Sequence, residues 1–216
     1  MKFTKNIVFK NFKKKLFSIS VQNKLNLIIN KKSEVIDSLK PNYNYSYSAK
    51  RLKDLKKKNF KSIKLIGMGG SILGTKAIYE FLGSRVKKKI LFFDNLKPLT
   101  KDSKNLKKNL NIVISKSGNT LETISNVNLL IKENQNNIFI TDKNQNYLRR
   151  LANKMKAEII DHNNFIGGRY SVLSEVGMLP LSLAGLSEKK FKQFNNLIKN
   201  KNFINSLISN VSNIVL

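Results

Sequence analysis

Small hydroxyl residues, a glycine and a lysine are gathered at Ser115-Lys116-Ser117-Gly118-Asn119-Thr120. The β-branched apolar run Ile112-Val113-Ile114 comes just before them and reads as a buried strand. From Leu121 the period changes, and Leu121, Ile124, Val127, Asn128 and Ile131 fall on one side of a helix. The cluster therefore joins the carboxyl end of a strand to the start of a helix. Unpaired backbone N–H groups and the helix dipole favour an anion there. The hydroxyls of Ser115, Ser117 and Thr120 can add donors, Lys116 can add charge, and Gly118 lets the backbone come close to a ligand. The same residue types also make helix caps, so a plain strand–turn–helix capped by Thr120 or Asn119 is the alternative.

These loops need a scaffold, and the chain supplies a regular one from Ile63 onwards. Ile63, Leu65 and Ile66 form a short strand, Gly67-Met68-Gly69-Gly70-Ser71 a tight glycine turn, and Ile72 to Phe81 a helix with Leu73, Ala77, Ile78 and Phe81 on its apolar side. Further strands are expected at 90–93, 112–114, 138–140 and 158–160. The helices between them are expected at about 100–109, 120–133 and 143–155. Five strands alternating with helices predict an α/β fold, a doubly wound five-stranded parallel sheet with flanking helices. In such sheets ligands bind beyond the carboxyl ends of the strands at the switch point, which makes the loops at 67–71 and 115–120 neighbours. The first loop also invites a dinucleotide reading, with Asp94 ending the next strand. The fingerprint needs glycine at 72, however, where the residue is Ile72, and Gly74 falls two positions late.

Residues 1–60 carry little chemistry. Val21, Leu25, Ile28 and Ile29 have helical spacing, Leu52 and Leu55 continue a second amphipathic segment, and Pro41 with an Asn/Tyr/Ser stretch separates the two. This region reads as a helical N-terminal arm. The alternating Tyr43, Tyr45 and Tyr47 are read as a loop packing on the domain, not as a stacking platform for nucleic acid. His162, the single histidine, has no spacing partner and is expected at the surface.

The formal charge of +28, from 41 basic and 13 acidic residues, is the loudest global feature. The lysines run along the whole chain among Asn and Ile, without the concentrated patch that marks nucleic-acid binding. They are read as solvated faces, so no specific nucleic-acid partner is expected; the charge still favours anionic small molecules. No run approaches the roughly 18 apolar residues of a membrane span, and residues 1–17 lack the apolar core of a secretory signal. The absence of cysteine suits a cytoplasmic location.

Three separated stretches resemble one family, glucose-6-phosphate isomerase. Gly67-Met68-Gly69-Gly70-Ser71-Ile72-Leu73-Gly74 is similar to its first glycine-serine loop, and Ser115-Lys116-Ser117-Gly118-Asn119-Thr120-Leu121-Glu122-Thr123 to its phosphate loop. Gly167-Gly168-Arg169-Tyr170-Ser171-Val172-Leu173-Ser174-Glu175-Val176-Gly177 resembles its Gly-Gly-Arg-aromatic-Ser signature. The resemblance implies a sugar-isomerase (SIS-type) domain at 61–186, with an arm at 1–60 and, at 187–216, the helical start of a second domain that is missing from a truncated chain. It implies interconversion of glucose 6-phosphate and fructose 6-phosphate through a cis-enediol, a step of glycolysis and gluconeogenesis, with no metal or cofactor. Ser115, Lys116, Ser117 and Thr120 would hold the phosphate, with Gly118 and Asn119 lining the loop and Gly70 and Ser71 reaching the ligand from the first loop. Arg169 would stabilise the enediolate. The family's base glutamate, its histidine and its lysine belong to a second domain whose motifs do not occur here. A non-catalytic sugar-phosphate-binding module is therefore the alternative, and the whole enzyme is expected to be a homodimer.

Overall fold

The computed structural model describes residues 18–96 and 108–215. Most of the helix expected at 100–109 lies outside the described residues. The chain falls into two units, one comprising Asn44–Glu188 and the other formed by the segments on either side of it.

In the central unit, β1 (Ser62–Gly67), β2 (Lys89–Phe93), β3 (Asn109–Ile114), β4 (Asn136–Thr141) and β5 (Glu158–Asp161) form one parallel sheet in the order β2-β1-β3-β4-β5. In-register rows such as Leu65–Ile112–Ile138 and Ile66–Val113–Phe139 cross the sheet, and every one of these side chains is fully buried. Both faces are covered, so the strands carry continuous apolar runs without polar alternation. The chain moves outward from β1 to β2 and then returns to the other side of β1 for β3. That reversal places the carboxyl ends of β1 and β3 side by side at the switch point.

Among the described residues the central unit carries the helices α3 (Ala49–Lys57), α4 (Leu73–Phe81), α5 (Leu121–Leu130), α6 (Tyr147–Lys154) and α7 (Glu175–Leu183), and the other unit α1 (Ile19–Asn30), α2 (Glu34–Asp37), α8 (Phe194–Ile198) and α9 (Lys201–Val215). Val127 and Leu130 of α5 and Leu148 and Ala152 of α6 pack with Ile66, Val113 and Phe139 in one core cluster. All nine residues of α7 are buried, which is why its sequence, Glu175 and Ser182 apart, is apolar on every side. Three serines start helices by accepting a backbone N–H: Ser18 for α1, Ser48 for α3 and Ser174 for α7.

Two helix faces differ from the sequence expectation. On α4, Leu73 and Phe81 are 56% and 87% exposed and Ala77 is exposed as well, whereas Ile72 and Thr75 face inward. Gly74 explains the rotation: a Cβ there would meet the Val172 side chain at 2.6 Å, so this side of α4 lies against the 168–173 turn. On α5, Leu121 and Asn128 are exposed, and Thr123, Asn126, Val127 and Leu130 take the inward positions. Asn126 faces in because its amide donates to the Asn95 carbonyl at the end of β2 (3.3 Å).

The Tyr45 and Tyr47 rings stack at 4.9 Å, and the buried Tyr47 hydroxyl donates to Glu188 at 3.0 Å, so this stretch is a loop packed on its domain. In the other unit α1 and α9 enclose an apolar groove of about 360 Å³ lined by Val21, Leu25, Ile28, Leu207, Ile208 and Val211. No helix of the described residues is long and apolar enough to cross a membrane.

Candidate functional site

β3 ends at Ile114, and the Ser115 N–H still donates to the Ile140 carbonyl of the neighbouring strand (3.1 Å), so the loop leaves the sheet from a fixed edge. Gly118 has φ +65°, the left-handed turn that brings the chain round into α5. The turn gathers the hydroxyls. Ser115 Oγ lies 3.1 Å and Ser117 Oγ 3.5 Å from Thr120 Oγ1, and Ser115 Oγ accepts the Gly118 N–H at 3.2 Å.

Thr120 occupies the N-cap position of α5, yet its side chain makes no capping hydrogen bond. Among the described residues, the N–H groups of Leu121, Glu122 and Thr123 have no partner. Thr120 thus holds the N-cap position that the capping alternative gives it, but its hydroxyl is turned towards two other hydroxyls instead of the helix. Thr123 was not singled out from the sequence. It is 1% exposed with its Oγ1 unpartnered among the described residues, and its signal was the three-residue spacing from Thr120, which puts both on one side of the helix.

The loop is held from behind by the start of α6. The N–H groups of Asp142, Leu148 and Tyr147 donate to the Lys116 carbonyl (3.1 Å), the Gly118 carbonyl (3.1 Å) and Asn119 Oδ1 (3.1 Å). Asn146 caps α6 by accepting from Arg149 N at 2.9 Å and donates to the Asn144 carbonyl at 2.9 Å. Asn119 thus faces the scaffold through its oxygen.

Lys116 is positioned differently from a simple phosphate ligand. Its Nζ donates to the carbonyls of Asn164 (2.6 Å) and Ile166 (3.3 Å). Because an ammonium has three donors, one remains. This bond ties the loop after β3 to the segment leading into Gly167-Gly168-Arg169. That segment in turn meets the first glycine loop: a Cβ on Gly70 would lie 2.3 Å from the Gly168 carbonyl carbon, so the two backbones are in direct contact. Ser171 Oγ donates to the Gly168 carbonyl (2.8 Å) and faces the Gly70 carbonyl at 3.4 Å. Ser71 sits in the same turn, its Cβ 3.2 Å from where a Cβ on Gly67 would be. Gly70, Ser71, Ser115–Thr120 and Arg169 therefore all belong to one cluster of loops at the switch point.

Arg169 is exposed, and its guanidinium forms no hydrogen bond or ion pair among the described residues. A structural salt bridge does not account for it. His162, expected at the surface, is only 2% exposed. Its Nδ1 contacts the Asn163 carbonyl at 2.9 Å and is therefore the protonated nitrogen in the bonded tautomer. Burial pushes its pKa below the usual value and nearby Lys116 adds to that, while the Asn163 bond, Glu175 and Asp142 oppose it.

A family model described as Phosphoglucose isomerase matches residues 17–212. The chain is 36% identical over 159 residues to glucose-6-phosphate isomerase of Borrelia garinii, covering 66% of this chain and 30% of that protein. It is 39% identical to the enzyme of that name from Methanocaldococcus jannaschii, covering 61% of this chain and 35% of that one. The chain thus spans about a third of the length of these curated relatives. Among solved structures, a hypothetical protein of Thermus thermophilus superposes with TM-score 0.64 at 21% identity, covering 88% of this chain and 50% of that one. Tagatose-6-phosphate ketose/aldose isomerase from Escherichia coli superposes with TM-score 0.51 at 16% identity, covering 80% and 55%. These likenesses support the SIS-type fold. With a match that runs through all three loops and the sheet that carries them, the chain belongs to the phosphoglucose isomerase family.

Proposed function

We propose that the loop cluster binds a sugar 6-phosphate, and that in the whole protein it serves the interconversion of glucose 6-phosphate and fructose 6-phosphate. The observation that carries this reading is the uncapped start of α5, where unpartnered N–H groups lie beside the converging hydroxyls of Ser115, Ser117 and Thr120. An acceptor-rich anion completes such an arrangement. The phosphate sits on 115–120, with Gly118 and Asn119 lining it and the remaining N–H of Lys116 at its edge. Gly70 and Ser71 meet the sugar from the first loop. Arg169 projects towards the reacting carbons, where its charge stabilises the enediolate.

Carrying a proton between the two carbons needs a base. Glu175, the carboxylate nearest in sequence to Arg169, is fully buried and accepts a backbone N–H, so it does not serve as one. The matched motifs supply binding and electrostatics, and isomerase turnover belongs to the whole protein, which we take to be a cytoplasmic homodimer.

The test is Thr120→Ala, with affinities for fructose 6-phosphate and fructose measured by calorimetry. A hydrogen bond to a charged group contributes about 1.5–3 kcal/mol, so affinity for the phosphorylated sugar should fall roughly tenfold or more. Because Thr120 does not cap α5, the melting temperature should change little. Unchanged 6-phosphosugar affinity refutes the phosphate site.

A further inference from the structure

We infer that Glu175, which none of the functional motifs assigns a role, is a positioning residue that sets the placement of Arg169. The inference rests on the sugar-phosphate reading above.

Glu175 is the first residue of α7 and is 0% exposed. A carboxylate is costly to bury unless something specific compensates it. Here the positive end of α7 lies at hand, and Glu175 Oε1 accepts the Asn163 N–H at 2.7 Å, a charge-assisted bond. The bond reaches across twelve residues to the start of the segment that delivers Arg169.

That segment is restrained residue by residue. The His162 N–H donates to the Thr141 carbonyl at the end of β4 (2.8 Å), anchoring the segment to the sheet. Asn163 then closes a tight turn, its Oδ1 accepting from Phe165 N (2.9 Å) and its carbonyl from Ile166 N (3.2 Å). Lys116 holds the opposite edge through the Asn164 and Ile166 carbonyls (2.6 and 3.3 Å), and the Ile166 side chain is fully buried. After Gly167, Ser171 fixes the Gly168 carbonyl at 2.8 Å.

The backbone on both sides of Arg169 is thus fixed, while its guanidinium has no partner among the described residues. The arrangement delivers a charged group to a set position without neutralising it. Glu175 holds the near end of this frame and Lys116 the far edge. Only Lys116 is also assigned to the phosphate, so Glu175 is the member whose role can be separated from phosphate binding.

The test uses the full 216-residue chain and two probes: inorganic phosphate, and a six-carbon sugar acid 6-phosphate whose carboxylate carries charge at the sugar end. Arg169→Ala should weaken the sugar acid about tenfold, the size of a lost charge-assisted contact, and leave inorganic phosphate unchanged. Glu175→Asp, which withdraws the oxygen by one methylene, should reproduce a selective loss of about fivefold, because a displaced guanidinium loses most of that contact. Glu175→Gln keeps an acceptor in place and should bind both probes like the wild type. In the Arg169→Ala background, Glu175→Asp should have no further effect.

Equal losses on both probes, a full additional loss in the Arg169→Ala background, or a Gln variant as weak as the Asp variant would each overturn the inference. If Glu175→Asp does not fold, Asn163→Ala loosens the same turn and must show the same selective loss. A wild-type chain that binds neither probe overturns the phosphate reading and this inference together. A wild-type chain that binds both, with Glu175→Asp indistinguishable from it, overturns the inference alone.

Discussion

Gly118→Ala tests whether the loop's shape is imposed by its own turn and by Asn146 behind it. Two costs are separable. Gly118 has φ +65°, where a side chain costs about 1–2 kcal/mol. An added Cβ would also lie 1.9 Å from Asn146 Oδ1 and 2.1 Å from its Cγ, so the amide must move. Asn146 is 6% exposed and tied by its bonds to Arg149 N and the Asn144 carbonyl, so moving it forfeits the cap of α6, about 1 kcal/mol. The sum is about 2–3 kcal/mol, which for a chain of this length lowers the melting temperature by roughly 4–12 °C. Circular dichroism melts and urea titrations read it directly. Asn146→Ala removes the three nearest atoms that the new Cβ would strike, so in that background Gly118→Ala should cost only the backbone part, about 1–2 kcal/mol. A Gly118→Ala protein melting within about 1 °C of wild type refutes the reasoning, as does an identical cost in both backgrounds.

Three further outcomes are expected. Burial holds the folded pKa of His162 below its usual value, so the unfolded chain binds the extra proton first. Stability is then fully present above pH ~6.5 and is lost as the pH falls towards the folded pKa, by at most about 1.4 kcal/mol per pH unit; His162→Gln should remove that share of the slope between pH 7.5 and 5. In the first glycine loop, Gly70→Ala drives a Cβ into the Gly168 backbone and should cost about 1–3 kcal/mol together with 6-phosphosugar binding. Gly69→Asn, at φ +55° with open space around it, should cost under about 1 kcal/mol on the same urea titrations.

The strands were legible because a sheet buried on both faces needs uninterrupted β-branched runs, and Ile112-Val113-Ile114 and Ile138-Phe139-Ile140 have no other reading at that length. Helix positions were legible from the change to a helical period after each strand, but the helix faces were not. Choosing Leu73, Ala77 and Phe81 as the inward side of α4 assumes that burial follows hydrophobicity. A close approach of α4 to Val172 instead demands small residues, and Gly74 and Thr75 meet it. On α5 a buried polar contact to Asn95 outranked Leu121 in the same way. His162 was misplaced because its partners, the Thr141 carbonyl and the Asn163 peptide, are backbone groups that leave no mark in a residue pattern. Lys116 could be assigned a charge but not a direction, since its carbonyl partners lie about fifty residues further along the chain.

The loop before α5 packs against the start of α6, and the two helix starts are treated in opposite ways. At α6, Tyr147 N, Leu148 N and Arg149 N all have acceptors: Asn119 Oδ1, the Gly118 carbonyl and Asn146 Oδ1. That helix start is saturated, and an anion there would have to displace protein groups. At α5, Thr120 stands at the N-cap and does not cap, the next three N–H groups lack partners among the described residues, and the buried Thr123 hydroxyl is unpartnered as well. A buried hydroxyl left without a partner, as at Thr123, costs free energy. A turn selected only for stability would rotate Thr120 onto the helix, at a gain of about 1 kcal/mol. The loop instead uses the start of α6 to hold Gly118 and Asn119 in place, while the start of α5 keeps its donors uncapped, as the proposed phosphate site requires.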